Sequence, residues 1–403
     1  MTAAVLLAFG LTACGVPAES SGGESALSSG EASVPENTSV QDTSESETAD
    51  PSTPAVQPGL SGEGIVFDLE NVKPQSKTGL WVCPMSLNGG VKEDFVSTLT
   101  DKTKWPTVFE KTVTIKLYIE QIYRSTDEQL KAIADFVREN RFTVAVELGG
   151  IRVAPEGTPA DQMGVKAAEN EYGHLQHFVD LGGRVDYITT DHALAERITG
   201  RVQDHPGMTM QDYMEQQALY FQYMQEKYPN LKVGSIESLG FFWVKGDIQY
   251  GATDGSLPRL NFEEYFSEYV RICKDNGVEL DHFHIDFGMQ DVEYDGRGKK
   301  LNYNRVLAVE NYVHSLGVRV GFIAANCFHN PMVNPAPDEE AASRSAAERT
   351  LQYFEGYMQA GGTSDTLVFQ RWQPYPIPVG DENNPLSSFG IFKSMVTSEW
   401  FPQ

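Results

Sequence analysis

Eight β-like runs, most of them followed by a helical stretch, predict a single (β/α)8 barrel over residues 65–403. Three observations carry this expectation. Strand–helix alternation repeated eight times argues for a parallel sheet. Eight such units in about 340 residues fall within the size range of a closed barrel. The segment after the first run, Met85-Ser86-Leu87-Asn88-Gly89-Gly90, lacks the G-x-G-x-x-G spacing that an open doubly wound sheet wants at its first turn.

In chain order the expected strands are Leu80–Met85, Val113–Ile119, Thr143–Glu147, Val185–Thr190, Lys232–Ile236, His282–Phe287, Val318–Ala324 and Thr366–Trp372. Ser125 and Glu128 make a capping box for a helix over Thr126–Asn140. Asn261 and Glu264 resemble a similar start for Phe262–Asn276, which ends at Gly277. Further helices are expected over Met210–Tyr228, Tyr303–Leu316 and Glu339–Ala360. The stripe of Tyr213, Tyr220 and Met224 reads as a core face.

Composition agrees with one large core. Hydrophobic residues are 40% and aromatic residues 11% of the 403, which excludes a wholly disordered, fibrous or small disulfide-scaffold chain. Net charge is −25, which argues against a nucleic-acid footprint and against a polybasic lipid-binding face. Cys83, Cys273 and Cys327 form no C-x-x-C pair and read as buried small side chains.

The first 64 residues differ. Residues 2–13 are apolar, about the length of a signal-peptide core and too short to span a membrane. Leu11-Thr12-Ala13-Cys14 resembles the lipobox of bacterial lipoproteins, although no Lys or Arg precedes the apolar run. That resemblance implies cleavage before Cys14, lipidation of Cys14 and anchoring on the outer side of the bacterial membrane. One acyl chain holds only marginally, so stable anchoring needs more than one. Residues 15–64 are Ser/Thr/Glu/Gly/Pro-rich, with no aromatic residue and no Lys or Arg. Such a segment cannot bury enough apolar surface to order itself and is expected to be a disordered tether. Its average reach is about 40 Å, at roughly 5–6 Å times the square root of its length.

In a barrel of this type, chemistry sits at the carboxyl ends of the strands. Period-two alternation selects the inward face. In the second strand Val113, Ile115, Leu117 and Ile119 face the helices, leaving Thr114, Lys116, Tyr118 and Glu120 inward. Glu147 ends the third strand facing inward. The fourth ends Thr189-Thr190-Asp191-His192, where either Asp191 or His192 points in. The fifth puts Ser235 and Glu237 together on the inner face. The sixth carries His282, His284 and Asp286 on one face, and the eighth ends with Gln370 and Trp372 in phase. Glu147, Asp191, Glu237 and Asp286 therefore become the catalytic candidates. Like charges gathered in one cleft raise each other's pKa, which acid/base chemistry uses and a stability-driven sequence avoids. Lys116, Tyr118, His192, His284 and Gln370, with Trp81, Trp243 and Trp372, are the substrate-binding candidates. Aromatic faces beside hydrogen-bonding groups suit a sugar ring. Phe241, Phe242 and Tyr375 accompany them, with loop packing as the alternative for the two Phe.

This combination resembles the (β/α)8-barrel glycoside hydrolases. More locally, Val185-Asp186-Tyr187-Ile188-Thr189-Thr190-Asp191 looks like the fourth strand of α-galactosidase-like retaining enzymes. Their Asp-Tyr-x-Lys-x-Asp pattern has Lys where this chain has Thr189. The resemblance implies Asp191 as nucleophile and Asp286 as acid/base. The residues alone leave Glu237 with Asp286 as a rival pair, and Glu147 as a further candidate.

Two other readings stand beside it. A metal-dependent, isomerase-like barrel would use Glu147, Glu237, Asp286 and a histidine from the fourth or sixth strand. A non-catalytic carbohydrate-binding surface lipoprotein is kept open by the seventh strand, whose end, Ala324-Ala325-Asn326, has no carboxylate. The principal expectation is a cell-surface glycoside hydrolase acting on an oligo- or polysaccharide, with no cofactor, no resident metal and no protein partner. The stretch Asp291-x-Glu293-x-Asp295-Gly296 has the start of a calcium loop but Asn302 at the twelfth position, and reads as a solvated loop.

Removal of residues 1–64 is expected to leave a soluble protein with the melting transition of the full chain. Insoluble product would put the domain boundary elsewhere.

Overall fold

The computed structural model describes residues 65, 67, 72–73, 78–84, 93–198, 205, 207–239, 242–244, 260–286, 303–325, 338–371 and 379–402. Ten strands occur among them: β1 (Gly79–Cys83), β2 (Thr112–Tyr118), β3 (Thr143–Leu148), β4 (Tyr187–Asp191), β5 (Lys232–Ser238), β6 (Phe242–Trp243), β7 (Leu260–Asn261), β8 (Leu280–Asp286), β9 (Arg319–Ala325) and β10 (Thr366–Gln370). Eight of these close into a parallel barrel in the order β1-β10-β9-β8-β5-β4-β3-β2. All eight expected strands are present, with ends that differ from the expected ones by no more than two residues. The short β6 and β7 pair with each other, outside the barrel sheet.

The strands are buried on both faces, as parallel strands covered by helices must be. Side chains such as Val82, Leu117, Val146, Ile285, Phe322 and Phe369 belong to the core between sheet and helices. A separate cluster, Trp81, Val113, Ala145, Tyr187, Ile236, Ile323 and Val368, fills the barrel itself. Alternation therefore holds through most strands and breaks at identifiable places. Leu80 pairs with Thr112 and Trp81 with Thr114, so β2 bulges at Val113. That bulge moves Val113 from the expected helix-facing set to the interior cluster. A second irregularity skips Asp281 in β8, where Val233 pairs with Leu280 and Gly234 with His282.

Helices cover the sheet. Asp127–Glu139 is capped by Thr126, whose hydroxyl accepts from the Gln129 amide while the Gln129 side chain accepts from the Thr126 amide. The capping box is thus one residue later than Ser125 and Glu128. Ser125 instead ends the preceding helix, Ile119–Arg124, donating its hydroxyl to the Gln121 carbonyl at 2.5 Å. Helix Phe262–Asp275 starts as expected, with Asn261 accepting from the Glu264 amide. Helices Met210–Lys227, Asn304–Ser315 and Glu339–Gln359 lie within a residue of their expected ends. Tyr213, Tyr220 and Met224 are core residues. Helix Met163–Asp180, with Gly164 and Gly173 inside it, was not evident from the sequence. Cys83 and Cys273 are buried thiols, and Cys327 lies outside the described residues. Among the described residues no helix is long and apolar enough to cross a membrane.

Two interior glycines make room for the histidines of β8. A Cβ on Gly234 would sit 2.4 Å from the His282 ring, and one on Gly321 2.2 Å from the His284 ring. Gly321→Ala is expected to destabilise the fold by about 1–3 kcal/mol through overpacking. Urea unfolding of the variant measures this; an unchanged midpoint would mean that the His284 ring does not occupy that space.

Candidate active site

The carboxyl ends of β3, β4 and β8 bring three of the four candidate carboxyls into one cluster. Asp191 ends β4 in phase with Tyr187 and Thr189. Its Oδ2 lies 3.2 Å from Arg152 Nη2, and its Oδ1 lies 3.4 Å from His192 Nδ1. The other side of the same ring, Nε2, lies 3.5 Å from Asp286 Oδ2 at the end of β8. Arg152 also reaches Glu196 at 3.4 Å. Deeper in the barrel, Lys116 Nζ bridges Glu147 Oε2 at 2.5 Å and Gln370 Oε1 at 2.6 Å, tying β2 to β3 and β10.

Both residues left open at the end of the fourth strand face the site. An extended residue after Asp191 would point the opposite way. His192 instead has φ +49°, the left-handed region, which turns its ring back beside Asp191. Such backbone strain in a non-glycine residue collects at functional sites.

The electrostatics separate the carboxyls. Burial works against the charge on Asp191, but His192, Arg152 and Lys116 outweigh it and hold this carboxyl below its usual range. Burial pushes Glu147 up to about 7; Lys116 opposes this, while Asp191 and Asp286 add to it. For His192, burial is overcome by Asp191, Asp286 and Glu237, which raise it to about 10, so it is an imidazolium at neutral pH.

Glu237 is turned the other way. Ile236 belongs to the interior cluster, so its neighbours Ser235 and Glu237 face the helix layer, contrary to the expected phase. Glu237 is 1% exposed, and its Oε1 accepts from the Tyr265 hydroxyl at 2.8 Å. Burial raises it to about 7, and its charge still acts on His192. The metal-ligand set of Glu147, Glu237, Asp286 and a histidine accordingly does not converge. Among the described residues no three His, Cys, Asp or Glu side chains are grouped to hold a metal ion.

Several expected sugar contacts are interior packing. Trp81 is 1% exposed, its ring against Tyr187, His282 and His284. Tyr118 is 1% exposed, with its hydroxyl 3.4 Å from the Arg371 carbonyl. His284 is fully buried below Asp286, and burial keeps it neutral. Phe242 is buried against Phe262 and Tyr265, which is the packing alternative rather than a sugar contact. The side chain of Trp243, together with Cys14, Phe241, Trp372, Tyr375 and residues 291–302, lies outside the described residues.

The sequence reading missed Arg152 and the device that holds it. Arg152 sits in a 3-10 turn, Gly150–Val153, directly after β3. Buried Glu171 accepts the Gly149 and Gly150 amides at 2.8 and 3.2 Å and the Tyr220 hydroxyl at 2.6 Å. Gln217 accepts the Ile151 amide, and Arg197 donates to the Arg152 carbonyl. The signal was Gly149-Gly150 immediately after a strand; Gly150 has φ +58° and no room for a Cβ.

Neither the known protein families nor the curated proteins contain a match to this chain. Among solved structures it is similar to a xylanase from Paenibacillus barcinonensis (13% identity, TM-score 0.43, covering 77% of this chain and 88% of that one). It is also similar to the Ignisphaera aggregans GH53 catalytic domain (12%, 0.42, 82% and 97%). A third is the catalytic domain of the beta-amylase from Paenibacillus polymyxa (10%, 0.44, 81% and 100%). At these identities the likeness is one of fold.

Glu171, like Glu147 and Glu237, has its pKa raised from 4.5 to about 7 by burial. The folded state then binds more protons than the unfolded state between these values. The stability each contributes is full below 4.5 and is lost as pH rises through about 7. Glu171→Gln is expected to flatten the fall in Tm between pH 5 and pH 8, at a cost of about 1–3 kcal/mol for the acceptor it cannot replace. Melting curves at both pH values check this; an unaltered slope would remove Glu171 from the titration.

Proposed function

We propose that the chain is a glycoside hydrolase that acts on an oligo- or polysaccharide by two-carboxylate catalysis, with Asp191 as the nucleophile. The supporting observation is Asp191 itself. It is partly exposed at a strand's carboxyl end, is kept ionised by Arg152 and His192, and lies among carboxyls of different proton affinity. A pair of carboxyls, one charged and one carrying a proton, is the chemical requirement for cleaving a glycosidic bond. In this reading Asp191 attacks the anomeric carbon and forms a glycosyl ester, while a second carboxyl protonates the departing oxygen. Water then displaces the ester with retention of configuration. Attachment to a membrane through Cys14 belongs to the same reading and rests on the lipobox alone.

A panel of polysaccharides and aryl glycosides tests it. Turnover is expected, unchanged by EDTA, and Asp191→Asn is expected to lower it by more than about a hundredfold with little change in Tm. EDTA-sensitive turnover restored by manganese or zinc would replace this reading with the metal one. No turnover, with a thermal shift on one glycan, would replace it with carbohydrate binding.

A further inference from the structure

We propose that Glu147 and Gln370 are the specificity-determining pair of this site, holding two adjacent hydroxyls of the sugar ring whose anomeric carbon faces Asp191, and that Lys116 is the positioning residue that aims both. The proposal rests on the glycosidase reading and deepens it by naming the part of the substrate that the inner layer of the mouth recognises. It moves Lys116 from substrate contact to support, and Glu147 from the reacting carboxyls to binding.

Donor chemistry fixes the orientation. A lysine ammonium has protons to give and no lone pair to offer. Lys116 is fully buried, so a substrate meets it only through its partners. Its Nζ lies 2.5 Å from Glu147 Oε2 and donates to Gln370 Oε1 at 2.6 Å. One oxygen of each side chain is thereby taken. The Gln370 amide turns its oxygen to the lysine and so directs Nε2 away from it. Glu147 has Oε1 left over, and its buried oxygen is the one on the lysine, while the side chain as a whole stays 10% exposed. Neither Glu147 Oε1 nor Gln370 Nε2 has a hydrogen-bond partner among the described residues.

The clamp therefore presents one acceptor beside one donor. The two oxygens held by Lys116 are about 4 Å apart, as two acceptors on one tetrahedral ammonium are. The outward pair is then within reach of neighbouring hydroxyls on a single ring. One hydroxyl donates to Glu147 Oε1, and the next accepts from Gln370 Nε2. Neither side chain rotates without unpairing a buried cation, so the pair is set before substrate arrives and binding costs little ordering.

Strand register puts this pair one layer beneath the nucleophile. Thr189 pairs with Glu147, and Asp191 stands two residues further along β4. At about 3.3 Å per residue, Asp191 is about 6–7 Å nearer the mouth. A ring with its anomeric carbon at Asp191 extends its hydroxyl edge inward toward Glu147 and Gln370. The class of ligand is a neutral sugar with two adjacent free hydroxyls. An analogue lacking either one leaves a polar group of the clamp unpaired in a desolvated place, which is how such sites discriminate.

Monodeoxy substrates test the pair. The full chain, Gln370→Met and Glu147→Gln are assayed for kcat/KM on both anomers of 2,4-dinitrophenyl glucoside, galactoside, mannoside and xyloside, and on analogues of each lacking one ring hydroxyl. Ratios between a variant and the unsubstituted chain cancel the intrinsic effect of each missing hydroxyl on reactivity. In the unsubstituted chain, loss of either of two adjacent hydroxyls is expected to lower kcat/KM by about three- to a hundredfold. In Gln370→Met, which leaves the Lys116–Glu147 pair in place, the penalty at one of the two is expected to vanish and that at its neighbour to remain. In Glu147→Gln the lysine takes the amide oxygen and an NH₂ faces the mouth, so the neighbour's penalty is the one expected to vanish. Penalties in Gln370→Met equal to those of the unsubstituted chain would overturn the pair, and this variant decides the matter if Glu147→Gln does not fold. A Glu147→Gln defect confined to matched alkyl glycosides would also overturn it, because that pattern marks a proton donor, which the dinitrophenyl group does not need. Cleavage of a polysaccharide with none of these glycosides turned over would overturn the single-ring site and leave the glycosidase reading intact. Absence of turnover on both would overturn the reading beneath it. For Lys116 the readout is the ¹⁵N signal of its ammonium in lysine-labelled protein, which burial protects from exchange. That signal is expected to shift in Gln370→Met, and an unmoved signal would remove Lys116 from the positioning role.

Discussion

Hydrogen bonding of β1 to β2 on one side and to β10 on the other closes the sheet into a ring of parallel strands. Closure has two consequences. Every strand's carboxyl end comes to the same rim, so residues distant in the chain become neighbours. The ring also encloses an interior that must be filled, and in this protein only part of the filling is apolar. Lys116 at its centre, fully buried, needs a carboxylate and an amide to replace its water; Glu147 and Gln370 supply them from flanking strands. The ion pair that satisfies the lysine thereby delivers a carboxyl to the rim in a desolvated setting.

The rim is ordered by a second layer of buried polar groups. Glu171 and Gln217 come from helices, yet they bind the backbone amides of the turn after β3 and so determine where Arg152 stands. Arg152 and His192 then keep Asp191 charged. The chain of cause runs from a buried helix acid through a turn to the protonation state of a mouth carboxyl. At the opposite end of the barrel, Asp281 binds Arg319 and His282, whose other nitrogen lies 3.1 Å from the Thr189 hydroxyl. This arrangement holds β8 at its bulge, far from the rim.

Legibility of the site in the sequence followed the regularity of the backbone. Alternation correctly set Lys116, Glu147, His284, Asp286 and Gln370 on the inner face. It failed at Val113, where β2 bulges, and at Glu237, where the phase of β5 is set by Gly234 and Ile236 lying inside. Tyr118 was assigned to the inner face correctly and Trp81 was expected to contact a sugar, but inner face and open mouth are different environments. Their depth along the strand makes them packing residues. Ser125 and Thr126 are both good caps, and the bond of the Ser125 hydroxyl back to the Gln121 carbonyl of the preceding helix decided between them.

What the sequence determined by itself is the number and order of strands, the parallel barrel and the set of strand-end carboxyls. These follow from local period and composition, which each segment carries on its own. What only the tertiary structure decided is which carboxyls share a field, that Asp191 is the one held charged, and that consecutive residues Asp191 and His192 both face the site. Those properties depend on burial, on charges from other strands and on one left-handed backbone angle. None of them is encoded within a single segment, because electrostatic free energy belongs to the assembled cluster.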